Sequence, residues 1–312
     1  MKKYLLQQFL SMLPVLLGVT LLTFMLLHFS GEDAADMLYR QHSAVSDAVL
    51  TQTRARLGLD RPLPVQYFSW LGALLTGDAG TSYISGQPVS AIFFDRLPNT
   101  LLLASASLAA ALFLALPAGI YCALHHNRKA DYLLQVLSFA GSSVPGFLLA
   151  LLLIYFFSVR FHTASILNHS GGFSAFILPV ITLTIPVAAK YTRYIRGEVL
   201  RAMQQPYIYG ALLRGISKTV ILRHYILHTV SLNMITVIAM SFGSLLGGTA
   251  IIENIFMING IGSLTVQAIL MKDYPLLQAC IIWSTLIFTI INTAAELLCS
   301  LLDPRNSFSV QE

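Results

Sequence analysis

The sequence predicts an all-α membrane protein of six transmembrane helices, and three observations carry that prediction. Of 312 residues, 56% are hydrophobic and 11% charged, whereas a water-soluble domain carries about 25% charged residues. Six mainly apolar runs, at 9–29, 100–124, 133–158, 176–194, 232–252 and 277–298, each reach the roughly 20 residues needed to cross about 30 Å of hydrocarbon. Lys and Arg collect beside alternate ends of those runs, the asymmetry that orients membrane helices.

Lys2 and Lys3 precede the first run. A secretory signal starts in the same way, but its apolar region is about 7–15 residues long and ends at a small-residue cleavage site. This run is longer and no such site follows, so residues 1–30 are expected to be a retained helix. Between 31 and 98 the pattern changes: seven acidic residues, five arginines and turn signals such as LDRPLP and GDAGTS break it up. An outward-facing insert is expected there, with short helices such as Asp47–Leu57 and little core of its own.

Residues 99–303 hold the other five spans with a loop at 201–228, and 304–312 form a tail. Pro145, in GSSVPGF, falls in the middle of the third span, and Pro179 and Pro186 fall in the fourth. Proline removes an intrahelical hydrogen bond, which membrane helices tolerate where neighbours or a lined cavity re-satisfy the carbonyls. Ordinary kinks are expected, with a shaped path through the membrane as the alternative. The segment ENIFMINGIGSLTVQAILMKDYP mixes turn glycines with apolar positions at Leu264, Ala268 and Met271, which suits a re-entrant or interfacial piece.

If six spans alternate, Lys2, Lys3, Arg128, Lys129, Lys190, Arg193, Arg196, Arg201, Arg214, Lys218, Arg223 and Arg305 share one side. Opposite them, the loop at 161–175 has no Lys or Arg and the segment after Glu253 has only Lys272. The basic side is cytoplasmic, so both termini are expected in the cytosol. Topology then accounts for the net charge of +5. Nucleic acid, which calls for a basic patch on a folded domain, is not an expected partner; membrane lipid is. Cys122, Cys280 and Cys299 are isolated and odd in number, which makes neither a disulfide framework nor a C-x-x-C motif. They are expected to be small packing residues.

The stretch YGALLRGIS, 209–217, has the glycine spacing of a phosphate-binding loop, with Ser217 where a magnesium-binding hydroxyl would be. Such a loop needs a Lys reaching the β- and γ-phosphates and a buried strand before it. Ile216 stands at the Lys position, and RAMQQPYI upstream is not a buried strand. The residues read better as a short helix from Pro206, with Ile208, Ala211 and Leu212 on one face and Gly215 as its stop. A second helix follows from Ser217 into the fifth span, and the pair makes a knob suited to docking.

YGALLRGISKTVILRHYILH resembles the cytoplasmic signature loop of binding-protein-dependent ABC importer permeases, whose common form is Glu-Ala-Ala, three residues, then Gly. Tyr209, Gly210 and Ala211 stand at the Glu-Ala-Ala positions and Gly215 at the glycine, so the acid and the first alanine are absent. LGLDRPLPVQYFSWL, GDAGTSYISGQPV, GGTAIIENIFMINGIG, KDYPLLQ and LLDPR extend the likeness along the chain. They are similar to segments of the dipeptide, oligopeptide and nickel permease family, nearest to its nickel import branch, with Asn259 where that family usually has Pro.

The resemblance implies a type I ABC importer permease fold in a bacterial inner membrane. It implies a permease that is not itself an enzyme and binds no cofactor, ATP and Mg being held by partner subunits. The implied partners are a second homologous permease subunit, two ATP-binding subunits and a solute-binding protein. Tyr207, Ile208, Tyr209, Gly210, Ala211, Leu212, Arg214 and Gly215 would touch the ATPase, and the implied cargo is nickel or a nickel chelate. A dipeptide or oligopeptide is the alternative cargo, and a secondary transporter or channel the alternative machine.

His224 and His228 are four apart, a metal-site spacing. But Tyr225 stands where H-E-x-x-H has Glu and no third ligand is evident, so they are expected at the membrane surface. Glu296 reads as the one acidic residue within the spans, with Asn292 a turn before it; a buried carboxylate there must face protein or water. With Met240 these form the candidate pathway set. His28, Met25 and Met234 add soft donors, although Met in a membrane helix mostly packs.

Overall fold

The computed structural model describes residues 2–29, 47–161 and 174–302. The start of the insert to residue 46, most of the loop at 161–175 and the tail at 304–312 lie outside the described residues. Among the described residues the regular elements are helices, apart from one bridge between Thr81 and Pro88. In chain order they are α1 (Lys2–His28), α2 (Asp47–Leu57), α3 (Leu63–Leu75), α4 (Val89–Leu124), α5 (Lys129–Ser143) and α6 (Gly146–Leu153), which a π-helical turn, Ile154–Arg160, extends. They continue as α7 (Ser174–Met203), α8 (Pro206–Leu213), α9 (Lys218–Ile255, with a π-helical stretch at Ile221–Ile226), α10 (Ile261–Leu270) and α11 (Tyr274–Leu302).

Four of these helices, α4, α7, α9 and α11, are long and apolar enough to cross a membrane, and α5 with α6 makes a fifth if the bent pair is one span. Among the described residues of α1, Leu13–Met25 forms a shorter apolar helical stretch. The helices outrun the apolar runs that announce them. α4 begins at Val89 rather than at 100 and has 36 residues, about 54 Å of helix. Asp95, Arg96 and Asn99 end the apolar run without ending the hydrogen-bonded ladder.

Pro145 departs from the expected kink. α5 stops at Ser143, Val144 is extended at φ −76° and ψ 124°, and Pro145 opens α6, with the two axes 96° apart. A residue before proline is pushed out of the helical region, so Val144 breaks the span. Pro179 and Pro186, by contrast, lie inside an uninterrupted α7.

The chain forms two compact units, Met1–Thr100 with Asn259–Thr289, and Leu101–Ile258 with Ile290–Glu312. In the first, Val89 and Phe93 of α4, Ile261, Leu264 and Ala268 of α10, and Leu277 and Cys280 of α11 form the core. The segment expected to be re-entrant or interfacial supplies α10 to this core, with Leu264 and Ala268 buried and Met271 exposed. The Thr100 hydroxyl accepts the Ile261 amide at 2.8 Å, and Asn99 donates to the Asn259 carbonyl at 2.8 Å. Arg96 donates to the Asn259 side-chain oxygen at 3.2 Å. Buried Asp273 receives the Ser82 hydroxyl and the Tyr83 amide, closing the turn before α4 onto the start of α11.

In the second unit α7 is central. Tyr191, Ile195 and Val199 are fully buried against α4 and α9 residues such as Ala115 and Met234. A Cβ on Gly119 of α4 would stand 2.8 Å from the Ile195 Cβ and 2.9 Å from the Thr192 carbonyl. The helix backbones meet there with only hydrogen between them, as small residues permit in membranes.

Candidate functional site

The loop between α7 and α9 is built from three local signals. Gln205 is extended, Pro206 takes the first helical position of α8, and Gln205 accepts the Ile208 amide at 3.0 Å. Proline suits that place because its missing N–H would have no intrahelical acceptor. At the other end Gly215 is left-handed at φ 75°. Its amide reaches the Leu212 carbonyl at 3.0 Å, and the Ile216 amide reaches Ala211 at 3.2 Å. These two bonds are the Schellman pattern, which glycine favours because a Cβ is crowded at positive φ. Ser217 then caps α9, accepting the Val220 amide at 3.5 Å. The resemblance to a phosphate loop is thereby explained: Gly215 is a helix stop and Ser217 a helix start.

α8 has a buried face and an open one. Ile208 and Ala211 sink into the core of the second unit and Ile216 packs beside them. Tyr207, Tyr209, Leu212, Arg214 and Gly215 are exposed, Gly210 is half-buried, and Leu213 is 90% exposed. Two tyrosines and two leucines on one short helix make an apolar surface of a kind that water does not favour.

Ion pairs brace the helices that carry this loop. Asp131 of α5, 2% exposed, accepts Arg196 of α7 through Nε at 2.7 Å and Nη2 at 2.8 Å. The Asn127 amide and Gln135 add bonds to Asp131 at 3.1 Å each. Asn127 is left-handed at φ 62°, a conformation its short polar side chain tolerates. His126 Nδ1 lies 2.9 Å from Arg196 Nη2. Two residues further on, Glu198 accepts Arg201 at 2.6 Å and Asn233 of α9 at 2.7 Å. Arg193 lies over the Phe139 ring, 4.4 Å from its centroid. α7 is thus tied to α5 and to α9 immediately before it delivers α8.

The remaining candidates are spread out. His224 and His228 are both exposed, His224 in the π-helical stretch, and no cluster of three metal-ligating side chains occurs among the described residues. Glu296 and Met240 are exposed, and Asn292 is half-buried. They lie near the contact of α9 with α11 at which Thr236 and Cys299 approach to 3.4 Å. Met25 is exposed and Met234 buried, while the His28 side chain lies outside the described residues.

Glu296 is the one acidic residue within the apolar runs, but the helices extend beyond those runs and carry others. Glu253 is fully buried inside α9 and accepts the Thr249 hydroxyl at 3.1 Å, and Glu198 lies in α7 and Asp131 in α5. Sequence reasoning missed the pairing of Asp131, Arg196, Glu198 and Glu253 because their helices continue past the apolar runs, and it missed Asn233, inside the run at 232–252, because a lone uncharged residue does not interrupt such a run. The available signal was the presence of charges at helical spacing beside those runs with no turn residue between.

Residues 115–308 match the family described as the binding-protein-dependent transport system inner membrane component, and residues 1–104 match its N-terminal companion. The nickel import system permease protein NikB of Staphylococcus aureus, in strains USA300 and NCTC 8325, is 34% identical over 304 residues, or 97% of this chain and 91% of NikB. Among solved structures, the inward-facing MetNI methionine ABC transporter aligns with a TM-score of 0.58 at 15% identity, covering 69% of this chain and 97% of that one. At that identity the likeness concerns the fold alone.

Proposed function

Because this chain belongs to the inner-membrane components of binding-protein-dependent transport systems, it is a multi-pass permease subunit of an ABC importer with the type I fold, working with an ATPase partner, and we propose that its cargo is nickel, free or chelated. As a permease subunit it carries no ATPase activity of its own. Nickel is supported by the name of the relative that is 34% identical over 97% of the chain.

We further propose six spans, α1 being the sixth, with both termini in the cytosol, as the placement of Lys and Arg favours. The assembly then consists of this chain, a second homologous permease subunit, two ATP-binding subunits and a solute-binding protein. Met240, Asn292 and Glu296 face the second permease subunit along the path.

The observation that carries this reading is α8: a capped helix, buried through Ile208 and Ala211, that leaves Tyr207, Tyr209, Leu212 and Leu213 uncovered. Tyrosines are enriched among the residues that carry binding energy at protein interfaces. Seated in a groove on the ATPase, α8 follows the ATPase dimer as it closes on nucleotide. α7 and α9, joined through Glu198 and Asn233, move with it as a rigid body.

The test is uptake by the assembled transporter in vesicles, with binding protein outside and ATP inside. Radioactive nickel should accumulate only when both are present. Accumulation of a dipeptide but not nickel moves the cargo to peptides, and accumulation driven by an ion gradient without ATP overturns the docking mechanism.

A further inference from the structure

We infer that α3 is embedded in the outer leaflet of the membrane, its exposed face covered by lipid acyl chains rather than by water or by a protein. This inference rests on the reading of α1 as a spanning helix with its N-terminus in the cytosol.

Leu63–Leu75 lies within the insert expected to be outward-facing, yet holds no charged residue. At 13 residues it is about 20 Å long, too short to cross the hydrocarbon. One face packs on α1. The Tyr67 hydroxyl lies 2.9 Å from the Thr20 hydroxyl, and the Phe24 ring is 5.4 Å from Tyr67 and 6.1 Å from Trp70.

The opposite face is also apolar. Val65, Phe68, Gly72 and Leu75 follow one another at helical spacing, with Phe68 68% and Leu75 81% exposed. A helix on the surface of a water-soluble insert carries charged residues on that side. Besides its aromatic rings α3 has only Gln66, which donates to the Leu59 and Arg61 carbonyls, and exposed Ser69 as polar side chains, and a helix this apolar belongs in an apolar medium.

The helix against which α3 rests decides which medium that is. Thr20 and Phe24 lie in the apolar stretch Leu13–Met25 of α1, whose Leu17, Leu21 and Leu22 are themselves exposed. From 62 to 77 the chain holds no charged residue, and the exposed apolar residues of α3 and of α1 belong to two helices in direct contact. α3 would anchor the following turn and the start of α4 to the membrane surface.

The test uses the full chain in phosphatidylcholine vesicles, with Cys122, Cys280 and Cys299 replaced by alanine and a single nitroxide label at Leu17→Cys, Asp60→Cys, Phe68→Cys or Leu75→Cys. Collision with oxygen, which concentrates in lipid, is compared with collision with a water-soluble paramagnetic chelate. Each chain is measured alone and again after assembly with its partner subunits and binding protein.

Oxygen should dominate at 17, 68 and 75 and the chelate at 60, and assembly should leave the values at 68 and 75 unchanged. Chelate access at 68 and 75 with oxygen access at 17 overturns the inference while leaving α1 as a span. Chelate access at 17 overturns the spanning reading itself. Loss of oxygen access at 68 or 75 on assembly assigns the face to a protein partner and also overturns the inference. Phe68 and Leu75 are both exposed, so two independent labels report on a face that the fold does not bury.

Discussion

Asp131 holds Arg196 by both carboxylate oxygens, at 2.7 and 2.8 Å, across a sequence separation of 65 residues. A planar guanidinium matched to a carboxylate fixes orientation as well as distance. This pair sets how the broken α5–α6 span lies against α7, the helix that leads to α8.

Asp131→Asn removes the charge that Arg196 faces while Asp131 is almost fully buried. Leaving one partner of such a pair uncompensated costs about 3 kcal/mol. The purified permease complex should melt at a clearly lower temperature, measured by loss of its size-exclusion peak after heating. Arg196→Lys keeps the charge but loses the fork, and its melting temperature should fall between those of wild type and Asp131→Asn.

Gly215→Val places a β-branched residue at φ 75°, a strain of about 1–2 kcal/mol confined to the end of α8. Gly210 is helical with nothing within 4 Å of an added Cβ, and Gly210→Ala should be neutral or stabilising by up to about 1 kcal/mol. ATP-driven uptake at equal amounts of inserted protein should fall for Gly215→Val and stay at the wild-type level for Gly210→Ala.

Leu213 is 90% exposed, so Leu213→Asp disturbs no packing within the chain. Membrane insertion and thermal stability should remain those of wild type, while the ATP-binding subunits recovered with the affinity-purified permease should drop at least several-fold. Full recovery of those subunits with this variant would remove α8 from the docking surface.

Gly119→Ala puts a methyl group 2.8 Å from the Ile195 Cβ and 2.9 Å from the Thr192 carbonyl. Overpacking of this kind costs about 1–3 kcal/mol, and the heated complex should lose its size-exclusion peak at lower temperature. Ile195→Ala should not rescue it, because the Ile195 Cβ and the Thr192 carbonyl both remain.

Much of the loop was legible in the sequence because its signals are local. Pro206 at a helix start and Gly215 at a helix stop act through their own backbones, and the structure puts α8 between them. Pro145 was legible as an interruption, but its 96° outcome was not. A proline inside a span kinks the helix when neighbours accept its freed carbonyls and breaks it when the preceding residue becomes extended, as Val144 does. The carboxylates of α5, α7 and α9 were hidden for another reason: hydropathy registers lipid-facing stretches, and these side chains lie where helices run on beyond them or turn inward.

By itself the sequence determined the apolar runs, the all-helical class and the punctuation of the docking loop, since transfer of side chains into hydrocarbon and local backbone preference depend only on the residues nearby. The tertiary structure alone decided which polar groups are paired. Glu198 meets Asn233 across 35 residues and Asp273 meets Ser82 across 191. Buried polar groups demand partners, and those partners are supplied by distant segments that only folding brings within hydrogen-bond reach.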